Sequence, residues 1–212
     1  MPKSNHVLAY TLLRGGIAVQ NPIIRKYGTI GFVATSDGTD RWIVSCYHVL
    51  CRPKGTTMPA GVSEPICQPH DMIRDTPVAF VSADRADEAL DCAAALVPNG
   101  QAVDTILGIG KLSAPADAEL GMRVIKSGAE TGVTEGTVTG IGPDEIEIST
   151  LGLPEGFDLT TGRDSGALWV SAKDNAPIGL HYRGNEDGTR ERAFARPIKL
   201  VLAKLRLDVV RP

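Results

Sequence analysis

The chain has 212 residues, a net charge of −3 and a hydrophobic fraction of 42%. This length allows one large domain or two small ones that share an interface, and the apolar content is sufficient for an ordinary core. The slightly acidic balance provides no basic patch, which argues against a nucleic-acid-binding function. Every apolar run falls well short of the roughly 18 residues that a membrane span needs, so no membrane contact is expected.

The N-terminal segment and the cysteines bear on where the protein works. Residues 7–13 are apolar, but Tyr10 and Thr11 interrupt them and no small-residue cleavage site follows, so we interpret them as a strand rather than an export signal. The first half of the chain holds all the cysteines, Cys46, Cys51, Cys67 and Cys92. They outline no disulfide framework across the chain. Buried thiols in a reducing compartment are expected, and with them a cytoplasmic protein.

Short apolar runs separated by turn residues predict an all-β protein. The 23 glycines and 14 prolines of the chain punctuate these runs. In the first half, strands are predicted at residues 29–35, 41–45, 78–82 and 92–97. Residues 98–120, which are rich in glycine, proline and alanine, are predicted to cross over to a second half.

The second half repeats this pattern and then changes to a helical one. Its predicted strands are residues 123–126, 133–141, 145–150, 167–171 and 177–182. After Pro197, apolar residues recur at the spacing of one helical face, at Ile198, Val201, Leu202 and Leu205. We therefore predict a helix over about residues 197–210 that packs on the second half. The two β-rich domains are predicted to be residues 1–105 and 106–212.

Residues 161–167 (TGRDSGA) contain a candidate nucleophile, Ser165. A serine hydroxyl is a poor nucleophile unless a base takes its proton and N–H donors stabilise the oxyanion. A glycine-rich turn would expose the hydroxyl and direct backbone N–H groups inward. The G-x-S-x-G elbow is excluded, because Arg163 and Ala167 stand where it requires glycine. Taken alone, this segment is also typical of an ordinary turn.

His48 is the candidate general base. It follows an apolar strand and opens a turn within residues 45–50 (SCYHVL), which would place its side chain at the mouth of a cleft. Imidazole titrates near neutrality, so it can both accept and return a proton at the pH of the cell. A purely structural histidine would fit the same pattern, so His48 needs support from the rest of the chain.

Asp91 is the candidate partner of His48. It heads the apolar residues 92–97, and a carboxylate in such a place must lie at the strand mouth or be paired, because an unpaired buried carboxylate is costly. Pairing with the imidazole of His48 would satisfy it and fix the tautomer. Asp84 and Asp87 are alternatives, although neither directly precedes an apolar strand.

The order His48, Asp91, Ser165 resembles that of the chymotrypsin-like (trypsin-like) serine peptidases. The similarity is carried by residues 46–50 (CYHVL), 90–94 (LDCAA) and 162–166 (GRDSG), and it extends over nearly the whole chain. It is closest in style to bacterial intracellular trypsin-like domains. The resemblance implies two six-stranded antiparallel β-barrels with a C-terminal helix. His48 and Asp91 would come from the first barrel and Ser165 from the second.

The resemblance also implies a reaction. The protein would be a serine endopeptidase that forms an acyl-enzyme on Ser165, needs no metal or organic cofactor, and acts on protein or peptide substrates. The backbone N–H groups of Arg163 and Ser165 would form the oxyanion hole. A small protease without an attached domain is also expected to depend on a regulatory partner protein.

Two departures from the family pattern concern the turn before the nucleophile. Arg163 stands where the family usually has glycine, so its side chain must point away or across the cleft, and a flipped peptide there would leave the site inactive. Asp164 corresponds to the aspartate that pairs, in digestive members, with an N-terminus released by cleavage. Residues 14–19 (RGGIAV) resemble such a cleavage site only faintly, so we expect Asp164 to find another donor.

The specificity pocket is predicted from the segments that flank the nucleophile. Thr160 and His181 stand where glutamyl endopeptidases place a hydroxyl and an imidazole, which suits a glutamate or glutamine before the cut. Tyr182 and Arg183 are predicted to complete the wall. Asp158 keeps a preference for basic residues open, and His181 would also fit a purely structural role.

Two other functions remain possible at this point. A zinc site could be formed by Cys46, His48, Cys51, Cys67 and His70, whose spacing includes C-x-H-x2-C. Alternatively, the chain could be a catalytically inactive trypsin-like module that binds peptides or partner proteins in the same cleft. Arg163 is the main reason to keep that second alternative.

Overall fold

A computed structural model describes residues 5–24, 26–53, 63–68, 77–150, 158–186 and 191–210. A short 3₁₀ turn (Asn5–Val7) comes first, and a four-residue helix, α1 (Tyr47–Leu50), follows the fifth strand. The strands of the first half are β1 (Leu13–Gly15), β2 (Ala18–Asn21), β3 (Lys26–Thr29), β4 (Phe32–Thr35), β5 (Trp42–Ser45), β6 (Glu64–Ile66), β7 (Ala79–Asp87), β8 (Cys92–Leu96), β9 (Ala102–Ile106) and β10 (Gly110–Lys111).

The second half contains longer strands and one helix. These elements are β11 (Arg123–Gly128), β12 (Gly132–Ile141), β13 (Ile146–Ser149), β14 (Leu168–Ser171), β15 (Pro177–Glu186), β16 (Glu191–Pro197), α2 (Ile198–Leu205) and β17 (Asp208–Val209). Strands β11 to β16 form a closed antiparallel barrel in the order β11-β12-β13-β16-β15-β14. Its interior is apolar and includes Trp169, Ile146, Ile148 and Leu159. Burial of such side chains is the main source of stability for the barrel.

The first half forms a second antiparallel sheet, in the order β17-β4-β5-β8-β7-β6. Two smaller sheets, β1-β9-β10 and β2-β3, complete it. The all-β class with a C-terminal helix is therefore confirmed, with one closed six-stranded barrel and a second six-stranded sheet. Strand β17 is the exception to a simple division at mid-chain, because Val209 at the end of the chain pairs with Ala34 of β4.

Helix α2 ends at Leu205, earlier than the pattern predicted, because Arg206 adopts a left-handed conformation with φ 53°. The four apolar residues of its predicted face are buried. The prediction that this face packs on the second half is confirmed, since α2 contacts β15 and β16, and the helix also packs on β7 and β8 of the first half. The turn at Arg206 directs the chain toward β4, so the helix must lie where the two halves meet.

The predicted strand 29–35 is interrupted in the structure at the place where the two halves meet. Strand β3 ends at Thr29, and β4 begins at Phe32. Between them, Gly31 packs so closely on the barrel that a Cβ atom there would lie 2.4 Å from the Gly166 carbonyl oxygen. Only glycine allows this approach. The break in the strand therefore lets the loop that carries Ser165 come against the first half.

Candidate active site

His48 and Asp91 are brought together by two adjacent turns of the first sheet. His48 lies in α1 directly after β5, and Asp91 lies directly before β8, the neighbour of β5. Asp91 adopts a left-handed backbone conformation with φ 52°, which aspartate tolerates better than most residues. One carboxylate oxygen accepts a bond from the His48 backbone N–H at 3.0 Å, and the other lies 2.7 Å from His48 Nδ1.

This pair fixes the orientation of the imidazole. When Nδ1 carries the proton that Asp91 accepts, Nε2 is left with a lone pair that can take a proton from a nucleophile. The side chain of His48 is about half exposed and that of Asp91 much less so. The imidazole therefore has one face open to an incoming molecule and one edge held by the protein.

The two alternative aspartates have other partners. Asp84 pairs with Arg206 at 3.1 Å and Asp87 with Lys204 at 2.8 Å, both at the C-terminal end of helix α2. Ionic pairs with these cations hold both carboxylates away from the imidazole. Of the three candidates named from the sequence, the structure places Asp91 beside His48.

Ser165 lies on a turn that is fixed against the first half by backbone hydrogen bonds. Its carbonyl accepts from the Thr29 N–H at 2.9 Å, and the next N–H, of Gly166, donates to the His181 carbonyl at 2.8 Å. Gly166 has φ 94°, and a Cβ there would lie 2.0 Å from the Ser45 hydroxyl oxygen. A side chain at Gly166 would push the whole turn away, so glycine after the serine is a requirement of the fold.

The Ser165 turn and the helix that carries His48 both approach a second glycine, Gly28. A Cβ on Gly28 would lie 2.6 Å from a methyl group of Val49, the residue after His48, and 2.7 Å from the Ser165 carbonyl oxygen. Helix α1 and the serine turn therefore pack on the same point of β3. The Ser165 hydroxyl has two long contacts among the described residues, to the carbonyls of Gly162 at 3.4 Å and Tyr182 at 3.5 Å, and His48 is not one of its partners.

Asp164 is the centre of a buried polar network under this turn. Lys126 Nζ donates to it at 2.8 Å and Thr131 Oγ1 at 2.7 Å, and the N–H groups of Glu130, Thr131 and Thr161 add three further bonds. Asp164 and Lys126 are both fully buried. Burial alone would raise the pKa of Asp164, but the Lys126 ammonium and the bonds from Thr131 outweigh it and hold this pKa below its usual value.

The expectation that Asp164 has a donor other than a cleaved N-terminus is therefore confirmed, and the donor is Lys126. Sequence reasoning gave Lys126 no role. The available signal was a lysine in a strand of the second half, at residues 126–128 (KSG), where burial on both faces makes an unpaired ammonium costly. The ion pair anchors the turn from below and leaves the Ser165 side chain at its upper surface.

A cavity of about 370 Å³ opens beside the serine turn, lined by Thr160, Thr161, Gly162, Gly184, Asn185, Glu191 and Arg192. Thr160 Oγ1 lies 2.7 Å from His181 Nε2, so the predicted hydroxyl–imidazole pair is formed at its wall. His181 is completely buried, and burial lowers its pKa to about 3. The imidazole is therefore neutral at physiological pH. Asp158 is exposed and is not among the described residues that line the cavity.

Tyr182 and Arg183 are not among the described residues that line this cavity, and their predicted place in the pocket wall stays a prediction. Both contact Glu145, Tyr182 through its hydroxyl and Arg183 through Nη2 at 3.1 Å. The cause is a register shift in β15 between His181 and Arg183, which changes the alternation of side chains along the strand. Tyr182 reaches the site through its backbone carbonyl only.

Comparison with known proteins gives a match at the level of structure. No protein-family model matches the chain, and no curated protein matches its sequence. Solved structures do match. A glutamic-acid-specific serine protease, which uses a histidine triad in substrate binding, superimposes with a TM-score of 0.71 at 20% identity, covering 93% of this chain and 100% of its own.

Two further solved bacterial proteases also superimpose on the chain. Thermobifida fusca protease A has a TM-score of 0.65 at 16% identity and covers 95% of this chain and 100% of its own. A Nocardiopsis protease has a TM-score of 0.65 at 18% identity and covers 93% of this chain and 98% of its own. The chain has the chymotrypsin-like fold. At such low identity the likeness concerns the fold, and the chemistry has to be argued from the residues in place.

Within the chymotrypsin-like fold, the turn before Ser165 has a conformation that corrects the predicted oxyanion hole. Residues 161–164 form a turn closed by a bond from the Asp164 N–H to the Thr161 carbonyl at 3.1 Å. The Arg163 N–H donates to Thr161 Oγ1 at 3.4 Å, and the Gly162 carbonyl oxygen lies 3.4 Å from the Ser165 hydroxyl. The Ser165 N–H has no acceptor within the described parts of the chain. Only one of the two predicted donors is therefore available.

The cysteines are buried thiols, as the sequence predicted. The one group within the described residues whose ligand atoms all lie within 4.8 Å of one another is Cys46, His48 and Asp91. Cys51 and Cys67 are not part of this group, and His70 lies outside the described residues. The Cys46 thiol donates to the His181 carbonyl at 3.1 Å, and burial raises its pKa well above the usual value.

None of the helices in the described ranges has the length and apolar character to cross a membrane.

Proposed function

We propose that this protein is a serine endopeptidase. The observation that carries the proposal is the hydrogen-bonded His48–Asp91 pair at the meeting point of the two halves, on the same glycine as the Ser165 turn. The chymotrypsin-like fold of the solved proteases supports it. The three side-chain types and their order along the chain match the roles of nucleophile, base and orienting carboxylate.

The proposed reaction transfers an acyl group in two steps. His48 takes the proton of Ser165 as the serine Oγ attacks the peptide carbonyl, and it returns this proton to the amine as the C–N bond breaks. Water then repeats the cycle on the acyl-enzyme, so that an acid is released and the serine is restored. Asp91 holds the Nδ1 proton throughout and stabilises the imidazolium that forms in each step.

The decisive test is covalent labelling of the purified protein with a fluorophosphonate. We expect one label per chain on Ser165, and no label on the variant Ser165→Ala. Ser36→Ala, which changes an exposed serine of a first-half turn, is the matched control and should label like the original protein. Absence of label on well-folded protein would contradict the proposal.

We further propose that the pocket accepts glutamate or glutamine before the cut. The Thr160–His181 pair lies at the wall of the cavity beside Ser165, and Arg192 adds a positive charge to its lining. The glutamic-acid-specific protease is among the structural neighbours. A peptide library should show cleavage after glutamate or glutamine, and His181→Gln or Thr160→Val should weaken this preference. Cleavage confined to arginine or lysine would reject it and favour a role for Asp158.

A second candidate is an inactive module that binds peptides in the same cleft. The observation that favours it is the Gly162 carbonyl, which lies beside the Ser165 hydroxyl where an oxyanion would need donors. A module of this kind would bind a peptide without labelling or hydrolysis. Binding of an unlabelled library peptide, measured together with the absence of turnover, would identify it.

A further inference from the structure

The side chain of Arg163 contacts two residues that are distant in the sequence, Glu130 and Tyr27. Its Nη1 atom lies 3.1 Å from Glu130 Oε2, and its guanidinium lies over the ring of Tyr27, 4.7 Å from the ring centre. The Tyr27 hydroxyl donates to the same Glu130 oxygen at 2.8 Å. We call these three residues the Arg163 anchor. Charge, a shared acceptor and stacking hold the guanidinium in one place.

The conformation of the turn depends on its third residue, which is Arg163. The turn 161–164 has its closing hydrogen bond, and neither Gly162 nor Arg163 has a positive φ, which identifies type I. Type II differs by a rotation of the central peptide through about 180° and requires a positive φ at the third residue. That rotation would turn the Gly162 carbonyl away from Ser165 and the Arg163 N–H toward it.

An arginine disfavours the rotated turn, and a glycine would not. A residue with a Cβ atom pays a steric penalty in the left-handed region that shifts the equilibrium by about fivefold to thirtyfold. A Cβ built on Gly162 has no atom within 4 Å, so the side-chain side of this residue is open. The obstacle that the residues identify is the backbone preference of Arg163 together with its anchor.

The parts of the turn on either side of this peptide are fixed. The Arg163 carbonyl accepts from Thr29 Oγ1 at 3.0 Å, and the Asp164 carboxylate is held by Lys126 below. The Gly162–Arg163 peptide can therefore rotate while the serine and its neighbours stay in place. A peptide group that can rotate between two fixed neighbours can switch between two discrete conformations.

We propose that Arg163, held by Glu130 and Tyr27, is a positioning residue that keeps the oxyanion hole closed in the free protein. The proposal rests on the proposed protease function, since it concerns the same site. The hole gains its second donor only when the Gly162–Arg163 peptide rotates, and a bound substrate carbonyl favours that rotation because its developing oxyanion needs the N–H group. Activity of the free protein is thus lower than its triad allows.

Three variants separate the backbone effect from the anchor. Arg163→Gly removes both the penalty and the anchor, Arg163→Ala removes the anchor but keeps a Cβ atom, and Glu130→Gln weakens the anchor while Arg163 remains. The measurements are the rate of fluorophosphonate labelling, kcat and KM on a peptide ester, and crystal structures of the original protein and of Arg163→Gly. Thermal unfolding confirms that each variant is folded.

We expect Arg163→Gly to raise kcat by about fivefold to thirtyfold with little change in KM, because the gained N–H acts on the oxyanion and not on the bound ground state. Arg163→Ala and Glu130→Gln should give smaller increases. In the crystal structures, the Gly162 carbonyl should face Ser165 in the original protein and turn away in Arg163→Gly.

Failure of this inference can be told apart from failure of the proposed function. Equal labelling rates and an unrotated peptide in Arg163→Gly would overturn the inference and leave the protease function standing. A rotated peptide in Arg163→Gly without labelling of any variant would overturn the protease function and support the closed turn.

Discussion

Two carboxylates of the site, Asp91 and Asp164, are held in opposite ways. Asp164 is fully buried, is paired with a buried ammonium and receives six hydrogen bonds from side chains and backbone. Asp91 keeps part of its surface in solvent and receives its two described bonds from a single residue, His48. The two carboxylates therefore differ in what they stabilise. Asp164 uses a buried ion pair to fix the position of a turn, whereas Asp91 stays partly exposed and orients the imidazole of His48.

The largest expected effect is on kcat, through the partly exposed carboxylate of Asp91. Asp91→Asn should lower kcat by about 10⁴-fold, because an amide no longer selects the tautomer that leaves Nε2 free or stabilises the imidazolium. The free energy of unfolding should change by less than about 1 kcal/mol, since this pair is partly exposed. Hydrolysis rates and urea unfolding check both parts. Asp87→Asn, beside Lys204, is the control that should keep its rate.

The next largest effect is on the free energy of unfolding, through the buried carboxylate of Asp164. Lys126→Met should lower the free energy of unfolding by about 3–5 kcal/mol, because Asp164 would stay buried without its cation. Denaturant unfolding measures this loss. Lys111→Met, an exposed lysine 3.7 Å from Asp104, is the matched control with an expected change below about 1 kcal/mol. Equal stability of the two variants would refute this difference between the two carboxylates.

The smallest effect is a pH dependence of the free energy of unfolding, caused by the buried imidazole of His181. Burial lowers the pKa of His181 to about 3 in the folded protein, so the unfolded chain binds one more proton over the range from the ordinary value of 6.5 down to that value. Stability must therefore fall as the pH falls through this window, by about 2 kcal/mol between pH 7 and pH 5.

The pKa of Asp164 is also lowered, but protonation of this carboxylate reduces the free energy of unfolding only below the usual pKa of 3.8. The contributions of His181 and Asp164 therefore fall in different pH ranges. Unfolding of the original protein and of His181→Gln across this range isolates the contribution of the imidazole. The variant should have the shallower slope between pH 7 and pH 5, and parallel curves would show that His181 is not the cause.

Sequence reasoning succeeded where local pattern decides the structure. The run of residues 41–45 became β5 (Trp42–Ser45), and the helical spacing after Pro197 became α2. It was less accurate where distant contacts decide. The break at Gly31 depends on the approach of Gly166, and the pairing of β17 with β4 joins residues 208–209 to a strand of the first half.

The same contrast holds within the candidate site. His48 and Asp91 could be paired from their positions at strand ends, although their catalytic role stays a prediction. The orientation of the Arg163 peptide could be predicted only in part. An arginine in place of glycine is visible in the sequence, whereas its contacts with Glu130 and Tyr27 come from residues that are far away in the chain.

Strand β17 has a consequence for the order in which the molecule assembles. Strand β4 becomes an inner strand of the first sheet only when Asp208–Val209 lies beside it. During synthesis, that edge remains unpaired until almost the entire described chain has left the ribosome, and an unpaired edge is prone to aggregation. Strand β17 is thus made after the Ser165 turn, and a nascent fragment that ends before Asp208 lacks the complete first sheet.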